Sequence, residues 1–223
     1  MPDLPIMLRV SGRRCVVVGG GPVAHRRAKA IVHAGGAVTV IAPRVDAAMQ
    51  TLDVQIERRP YESEDLVGMF LVVVATDDPE INRAVAADAR RLGVLLNRAD
   101  DPGAGDLCIG AHEHHGPITI AVYTGGISST AAGKIRRELS ASLDPDWPRL
   151  LEIVGPYRTL LQERCRDTED RRARLVQLAS PRAMAILKEQ GPESLQQFCN
   201  DIVAGTPPRS ATDPNTRPSC TRP

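Results

Sequence analysis

Aromatic side chains are scarce: two Phe, one Trp and three Tyr in 223 residues. So few rings leave no stacking platform of the kind that single-strand nucleic-acid binders use, and the interior has to be built from Val, Leu, Ile and Ala. Net charge is missing too. Lys and Arg number 28 against 27 Asp and Glu, a formal balance of +1, so no global field is available to hold a nucleic acid or an anionic membrane. No apolar run approaches the ~18 residues of a membrane span, and the first residues lack a basic stretch followed by an apolar signal core; a cytoplasmic protein is expected. The five cysteines (Cys15, Cys108, Cys165, Cys199 and Cys220) are odd in number and scattered, without a CxxC pair, which argues against a disulfide framework or a zinc knuckle. Glycine and proline, 18 each, stay under the ~25–30% of low-complexity chains, so the chain should fold, as one large domain or two small ones.

What the sequence does have is strand, turn and helix in alternation. Residues 14–18 (RCVVV) form a β-branched run closed by Gly19, Gly20 and Gly21; an Ala-rich stretch from Val23 to Ala34 repeats with helical spacing; Gly35-Gly36 ends it before a second run, AVTVIAP. A β-α-β unit of this size predicts a parallel sheet. The third run, MFLVVVAT, ends at Thr76, after which Asp78 reads as an N-cap and Pro79 as the first turn of a helix reaching about Leu92. GVLLNRA makes a fourth strand that delivers Asp100 and Asp101. The alternation predicts an α/β, Rossmann-like doubly wound sheet whose functional edge lies where the strands end.

From Asp101 to Gly116 the pattern dissolves, and a loop is expected. It carries His112, Glu113, His114 and His115, metal-ligand types whose adjacency in a loop seldom lets them converge on one ion, so no metal site is expected. The strand PITIAVYT, the Gly125-Gly126 turn and a helix from about Thr130 to Leu143, capped by Ser128 and Ser129, follow. Four more helical stretches cover 147–166 (broken or kinked near Pro156), 168–179, 181–190 and 192–204. The last eighteen residues hold five prolines and little that is apolar, which predicts a disordered tail. The expected boundaries are 1–110 for a nucleotide-binding domain, 111–146 for a linking segment, 147–205 for a helical domain and 206–223 for the tail.

Gly19 to Ala24 (GGGPVA) fits GxGxxA: a tight turn at Gly19, close approach of backbone to a pyrophosphate at Gly21, close helix packing at Ala24. Gly20, Pro22 and Val23 complete the loop, with Pro22 presetting φ. The same glycines also suit an ordinary tight turn, but the β-α-β context favours a dinucleotide. The second strand ends in Ala42-Pro43-Arg44, without the acidic residue that usually holds the adenosine ribose. Arg44 then faces either the 2′-phosphate of NADP or solvent, and Thr76 lines the cofactor cleft. Asp78 has its capping role, which leaves Asp77 a turn residue.

The segments LPIMLRVSGRRCVVVGGGPVAHRRA, VTVIAP, VVVATDDPEINRAVAADA, LLNRADDPGAGDL and ITIAVYTGGISSTAAGKIRREL together resemble the precorrin-2 dehydrogenase / sirohydrochlorin ferrochelatase family, the N-terminal module of siroheme synthase, in order over roughly residues 4 to 143. The resemblance implies NAD-dependent oxidation of precorrin-2 to sirohydrochlorin by a homodimer, with segment 111–146 making the dimer contact. It also implies one aspartate that serves the dehydrogenase and, where present, the chelatase; here that position is Asp100. The role is chemically reasonable, because hydride removal from a saturated bridge carbon leaves a cation that must lose protons. Thr124, Gly125 and Gly126 before a helix start, with Lys134 and Arg137 beyond, suit the carboxylate arms of a tetrapyrrole, or simply turn the chain; both readings stay open. Three departures from the family (DLCIGA after the aspartate loop, Ser128-Ser129 after the Gly-Gly turn, and the HEHH cluster) leave two rivals: a bifunctional enzyme that also inserts ferrous iron, and a non-catalytic tetrapyrrole or dinucleotide sensor. No methyltransferase module is expected in the sequence.

Overall fold

The computed structural model describes residues 3–205; the expected tail, 206–223, lies outside the described residues. The chain divides into two compact units, one formed by the residues up to Ala111 together with Val122–Gly133, the other by His112–Ala121 and the residues from Lys134 on.

The first unit is built on β1 (Arg14–Val18), α1 (Pro22–His33), β2 (Ala37–Ile41), β3 (Gln55–Glu57), β4 (Leu71–Val74), α2 (Pro79–Leu92) and β5 (Leu95–Arg98). The five strands pair in the order β3-β2-β1-β4-β5, and the described pairs are all parallel. β1 and β4 sit at its centre, which is why they read as unbroken β-branched runs rather than as alternating strands. Alternate residues feed opposite faces. Cys15, Val17 and Val73 pack with Ala24, Ala28 and Ile31 of α1, and Val16, Val18, Val72 and Val74 pack with Val85, Ala86 and Ala89 of α2. Burial pushes the Cys15 thiol up to about 11, so it is an inert part of this core.

The register brings four strand ends into one row. Val18 pairs with Ile41 on one side and Val74 on the other, and Val74 pairs with Arg98. The loops after β1, β2, β4 and β5 therefore leave the sheet at one edge, with the crossover point between β1 and β4, where open α/β sheets bind ligands. α2 starts as the sequence predicts: the Asp78 carboxylate accepts the amides of Glu80 at 2.8 Å and Ile81 at 3.3 Å, and Gly93 ends the helix at φ 68°.

Two strand expectations need correction. β3 has only three residues and no apolar run, and it makes the Asp100-bearing strand the fifth in chain order rather than the fourth. Within the expected loop 101–116, residues Ala111–His115 form β6, paired with β7 (Ile118–Val122) in a two-stranded hairpin. Its turn is at Gly116, φ 55°. The strand tolerates its polar sequence because partners meet it: Glu113 takes an ion pair from Arg136 and a 2.9 Å hydrogen bond from Ser140, and His114 Nδ1 lies 3.0 Å from Thr119 Oγ1. The DLCIGA segment before it runs extended, held by Asn97 Nδ2 to the Leu107 carbonyl (2.9 Å) and by Arg27 to the Ile109 carbonyl (2.6 Å).

The second unit holds this hairpin except its end residues Ala111 and Val122, the later part of α3 (Ser129–Ser142), and α4 (Asp146–Arg164), α5 (Thr168–Leu178), α6 (Pro181–Gln190) and α7 (Pro192–Ala204). The four last helices share a core of Leu150, Val154, Leu161, Leu178, Leu187, Leu195, Phe198 and Ile202. Of the break or kink expected near Pro156, the break does not occur: α4 passes through it, at the cost of the one amide that proline lacks. Among the described residues no helix is long and apolar enough to cross a membrane. The protein is thus α/β, with a parallel Rossmann-like sheet, a two-stranded hairpin and C-terminal helices.

Candidate functional site

The three glycines after β1 do different jobs. A Cβ at Gly19 would lie 2.2 Å from the Ala75 carbonyl oxygen, and one at Gly20 would lie 1.9 Å from that of Arg44. These two let the loop after β1 pass against the loops after β4 and β2. The amide of Gly19 donates to Ile41 O at 3.0 Å, and the Gly20 carbonyl accepts from Asp46 at 2.8 Å. Gly21 is different: nothing stands within 4 Å of where its Cβ would be. It is the N-cap of α1, no side chain caps the helix there, and the first turn carries no acidic residue. Uncapped amides and the positive end of a twelve-residue helix therefore face open space, the arrangement that binds a phosphate oxyanion.

That space is a cleft of about 700 Å³ lined by Gly19, Gly20, Gly21, Pro22, Val23, Pro43, Arg44 and Thr76, and also by Pro60, Tyr61, Asp77, Asp78 and Ile81. It is within the size range of small-molecule sites, and the open Gly21 with the uncapped α1 amides beside it fits a dinucleotide. All eight expected cofactor residues thus share one cleft. Tyr61 was not expected there. Its ring is locked because its hydroxyl donates to Asp88 Oδ2 at 3.0 Å, while Asp88 also accepts from Arg91 at 2.8 Å; Arg91 chiefly holds the Asp88 carboxyl below its ordinary range. Arg44 is exposed, and its guanidinium makes no hydrogen bond or ion pair with any described residue.

Asp100 follows β5 at the same sheet edge. Arg98 grips its carboxylate with both arms, Nε to Oδ1 at 3.1 Å and a terminal nitrogen to Oδ2 at 2.5 Å. Asn82 Nδ2 adds a third donor to Oδ2 at 3.0 Å. The Arg98 bond, with Asn82 assisting and partial burial opposing, holds the carboxyl below its usual range, so Asp100 is ionised at neutral pH. Asn82 is one of two buried polar side chains in the described chain, 2% exposed. Its Oδ1 accepts the Thr76 hydroxyl at 2.6 Å and its Nδ2 also reaches the Thr76 carbonyl at 3.1 Å. Neither Asn82 nor Arg98 is assigned a role from sequence, although Asn82 closes the ATDDPEIN stretch that helps carry the family resemblance. Asn82 left a signal, since it lies on the apolar stripe of α2 with Val85, Ala86 and Ala89, where a polar residue needs a reason.

The Thr124-Gly125-Gly126 turn is left-handed at both glycines, φ 63° and 78°. Thr124 Oγ1 is occupied, accepting from the Ser128 amide at 3.2 Å and donating to its carbonyl at 3.0 Å, and Ser128 Oγ caps the Ala131 amide at 3.1 Å. The helix start is therefore partly self-capped, more closed than a free anion site. Gly125 keeps open space around it. Lys134 belongs to the second unit and is exposed, 3.9 Å from Glu138. Nearby in the first unit, the Tyr123 hydroxyl is pushed up to about 12, chiefly by its hydrogen bond with Cys108. Among the described residues no group of three or more His, Cys, Asp or Glu is placed to hold a metal ion.

Residues 6–111 match the NAD_binding_7 family, described as NAD(P)-binding. The siroheme synthase of Pseudomonas putida F1 is 34% identical over 212 residues, covering 93% of this chain and 46% of that protein. The siroheme synthase of Chromobacterium violaceum is 36% identical over 176 residues, covering 77% and 37%. The chain thus spans about half or less of the length of these relatives. A solved structure described as SirC, precorrin-2 dehydrogenase, is 26% identical and superposes with a TM-score of 0.72, covering 89% of this chain and all of that one. With an NAD(P)-binding domain at its start and a fold shared over 89% of its length, the chain belongs to the SirC-like family of the siroheme synthase N-terminal module.

Proposed function

We propose that the protein oxidises precorrin-2 to sirohydrochlorin with NAD, as a step in making siroheme. The observation that carries this reading is the meeting, at one sheet edge, of an open glycine cradle on an uncapped helix N-terminus and an ionised Asp100. Bound NAD supplies the hydride acceptor. The chain's residues do the rest. The α1 amides and Gly21 hold the pyrophosphate, and Pro43, Arg44 and Thr76 flank the remainder of the cofactor. Gly125 and Gly126, with Thr124 shaping the turn, receive carboxylate arms of the substrate. Asp100 accepts the proton that the substrate releases once hydride has left. Its low pKa suits this task, because a proton on a cationic conjugated carbon framework is acidic enough for a weak base to remove. Oδ1, with one side-chain donor against two on Oδ2, has the spare lone pair.

Anaerobic incubation with precorrin-2 and either NAD or NADP, following reduced cofactor and the sirohydrochlorin spectrum together, tests the reading. Turnover is expected with NAD, and absence of turnover with both cofactors would overturn it. The unpartnered Arg44 favours a second possibility on the cofactor side, that a 2′-phosphate is accepted as well. Arg44→Ala is then expected to raise KM for NADP roughly tenfold, one lost charged hydrogen bond, while leaving KM for NAD within twofold; equal effects on both would show that Arg44 does not read the 2′ position.

The same proposal includes a homodimer through residues 111–146. On α3, Ile135 and Leu139 lie one turn apart on one face and are 42% and 47% exposed, and a two-stranded hairpin is marginal without further cover. A second copy offers a matching apolar face and free strand edges. Sedimentation should give a dimer, and the double change Ile135→Asp, Leu139→Asp should give a monomer.

A further inference from the structure

Polar side chains in the first unit's core are few, and among the described residues the two that are buried are Asn82 and Asn97. Asn97 ties down the segment after β5 through the Leu107 carbonyl. Asn82 instead stands between two parts of the site: Thr76, which lines the dinucleotide cleft, and Asp100. Its orientation is fixed by its partners. The Thr76 hydroxyl has one proton and two acceptors in reach, Asn82 Oδ1 at 2.6 Å and the Asp78 carbonyl at 3.2 Å, and the shorter contact takes it. That makes Oδ1 the acceptor and leaves both Nδ2 protons for the Thr76 carbonyl and Asp100 Oδ2. Flipping the amide would set its oxygen against a carbonyl and a carboxylate, two acceptor–acceptor contacts without a donor.

We propose that Asn82 is a positioning residue that holds Asp100 in register with the cofactor cleft, through a continuous chain of hydrogen bonds from Thr76 to Asn82 to Asp100. The inference rests on the reading of Asp100 as the proton acceptor. Arg98 alone fixes the plane of the carboxylate but comes from the same strand, two residues away, so it moves with Asp100. Asn82 comes from α2, the element that starts at the cofactor cleft, and is the tie that keeps the two loops in step. By loading Oδ2 with a second donor it also leaves Oδ1 as the better proton acceptor. The charged groups that face Asp100 are Arg98 and, acting through Arg98, Asp101; α2 presents only the neutral amide. Removing that amide takes away a donor to the ionised form, so the acid limb of kcat must move to higher pH.

Asn82→Ala and Thr76→Val test this in the full-length protein. Asn82→Ala is expected to lower kcat for precorrin-2 oxidation on the order of 10²-fold, as misplacement of a reacting group does, and to shift the acid limb upward, while NAD affinity read by fluorescence titration stays within threefold. Thr76→Val removes the hydroxyl that orients the amide and should cost kcat roughly tenfold, with Thr76→Ser, which keeps Oγ, recovering the acid limb. Unchanged kcat and pH profile in Asn82→Ala overturn the proposal; should that variant not fold, the same result in Thr76→Val overturns it. Full activity in Asp100→Asn would instead overturn the base reading itself, so the two failures are told apart.

Discussion

Asp100→Asn should lose turnover by about 10²–10⁴-fold, the usual contribution of a positioned general base, while keeping its fold and its affinity for NAD. The asparagine is nearly the same shape and still offers Arg98 a carbonyl oxygen, but its amide has no lone pair to take a proton and is itself a donor facing the Asn82 donor. The effect on stability should be small, because the Arg98 pair is partly solvated, with the Asp100 side chain 34% exposed, and such pairs are screened. The pH dependence follows from the direction of the shift. Asp100 is held below its usual value by Arg98, so whatever the pair adds to stability is present above the unfolded carboxyl pKa of about 3.9 and is lost as pH falls through the lower folded value. The same carboxylate stays ready as a base throughout the neutral range. The wild-type rate should therefore show no acid limb from Asp100 between about pH 5 and 8. Single-turnover rates with precorrin-2, NAD titration and circular dichroism on one preparation measure all three expectations, and a wild-type-like rate would remove Asp100 from the mechanism.

Gly21→Val and Gly20→Ala should both weaken dinucleotide binding severely, but for opposite reasons. At Gly21 the backbone is extended, φ −85° and ψ −174°, which any residue adopts, and the added side chain meets no protein atom within 4 Å. The protein should fold and melt as before while the isopropyl group fills the space above the α1 amides. NAD affinity should drop roughly a hundredfold or more, equivalent to about 2.8 kcal/mol. At Gly20 the added methyl meets the Arg44 carbonyl at 1.9 Å and the Val45 Cα at 2.9 Å, both backbone, so the loops after β1 and β2 must separate and the melting temperature should fall with the binding. A Gly21→Val protein that still binds NAD tightly would place the pyrophosphate elsewhere. Equal melting of the two variants would contradict the packing at Gly20.

Much of this was readable from the chain because the physics that shapes it is local. The valine runs of β1 and β4 are buried on both faces and so announce themselves without alternation. Asp78-Pro79 and Gly93 mark the ends of α2 through capping and left-handed φ, effects confined to a few residues. β3 was missed because Gln55–Glu57 is a short edge strand defined by its neighbour β2, not by its own composition. The Ala111–His115 strand resembles a loop in sequence for a related reason: its polar residues find their partners in Arg136, Ser140 and Thr119, later in the chain. At the site, the glycines and Asp100 could be named from motif and resemblance, whereas Tyr61 and the Asn82 bridge depend on contacts between residues 18 and 27 positions apart. The local traces of the second are a polar residue on an otherwise apolar helix face and its place at the end of the ATDDPEIN stretch.

The alignment of Val18, Ile41, Val74 and Arg98 in a single row gives the buried strands a role in chemistry they never touch. A slip of one residue in any of these pairings would carry its loop about 3.3 Å along the sheet and turn its side chains to the other face. The coordinates of Gly21, Thr76 and Asp100 relative to one another are thus stored in the valines beneath them. Drift in the loops can retune what is bound; drift in Val16, Val17, Val72 or Val73 would blur where everything is bound, and would present as a catalytic defect with an intact set of site residues.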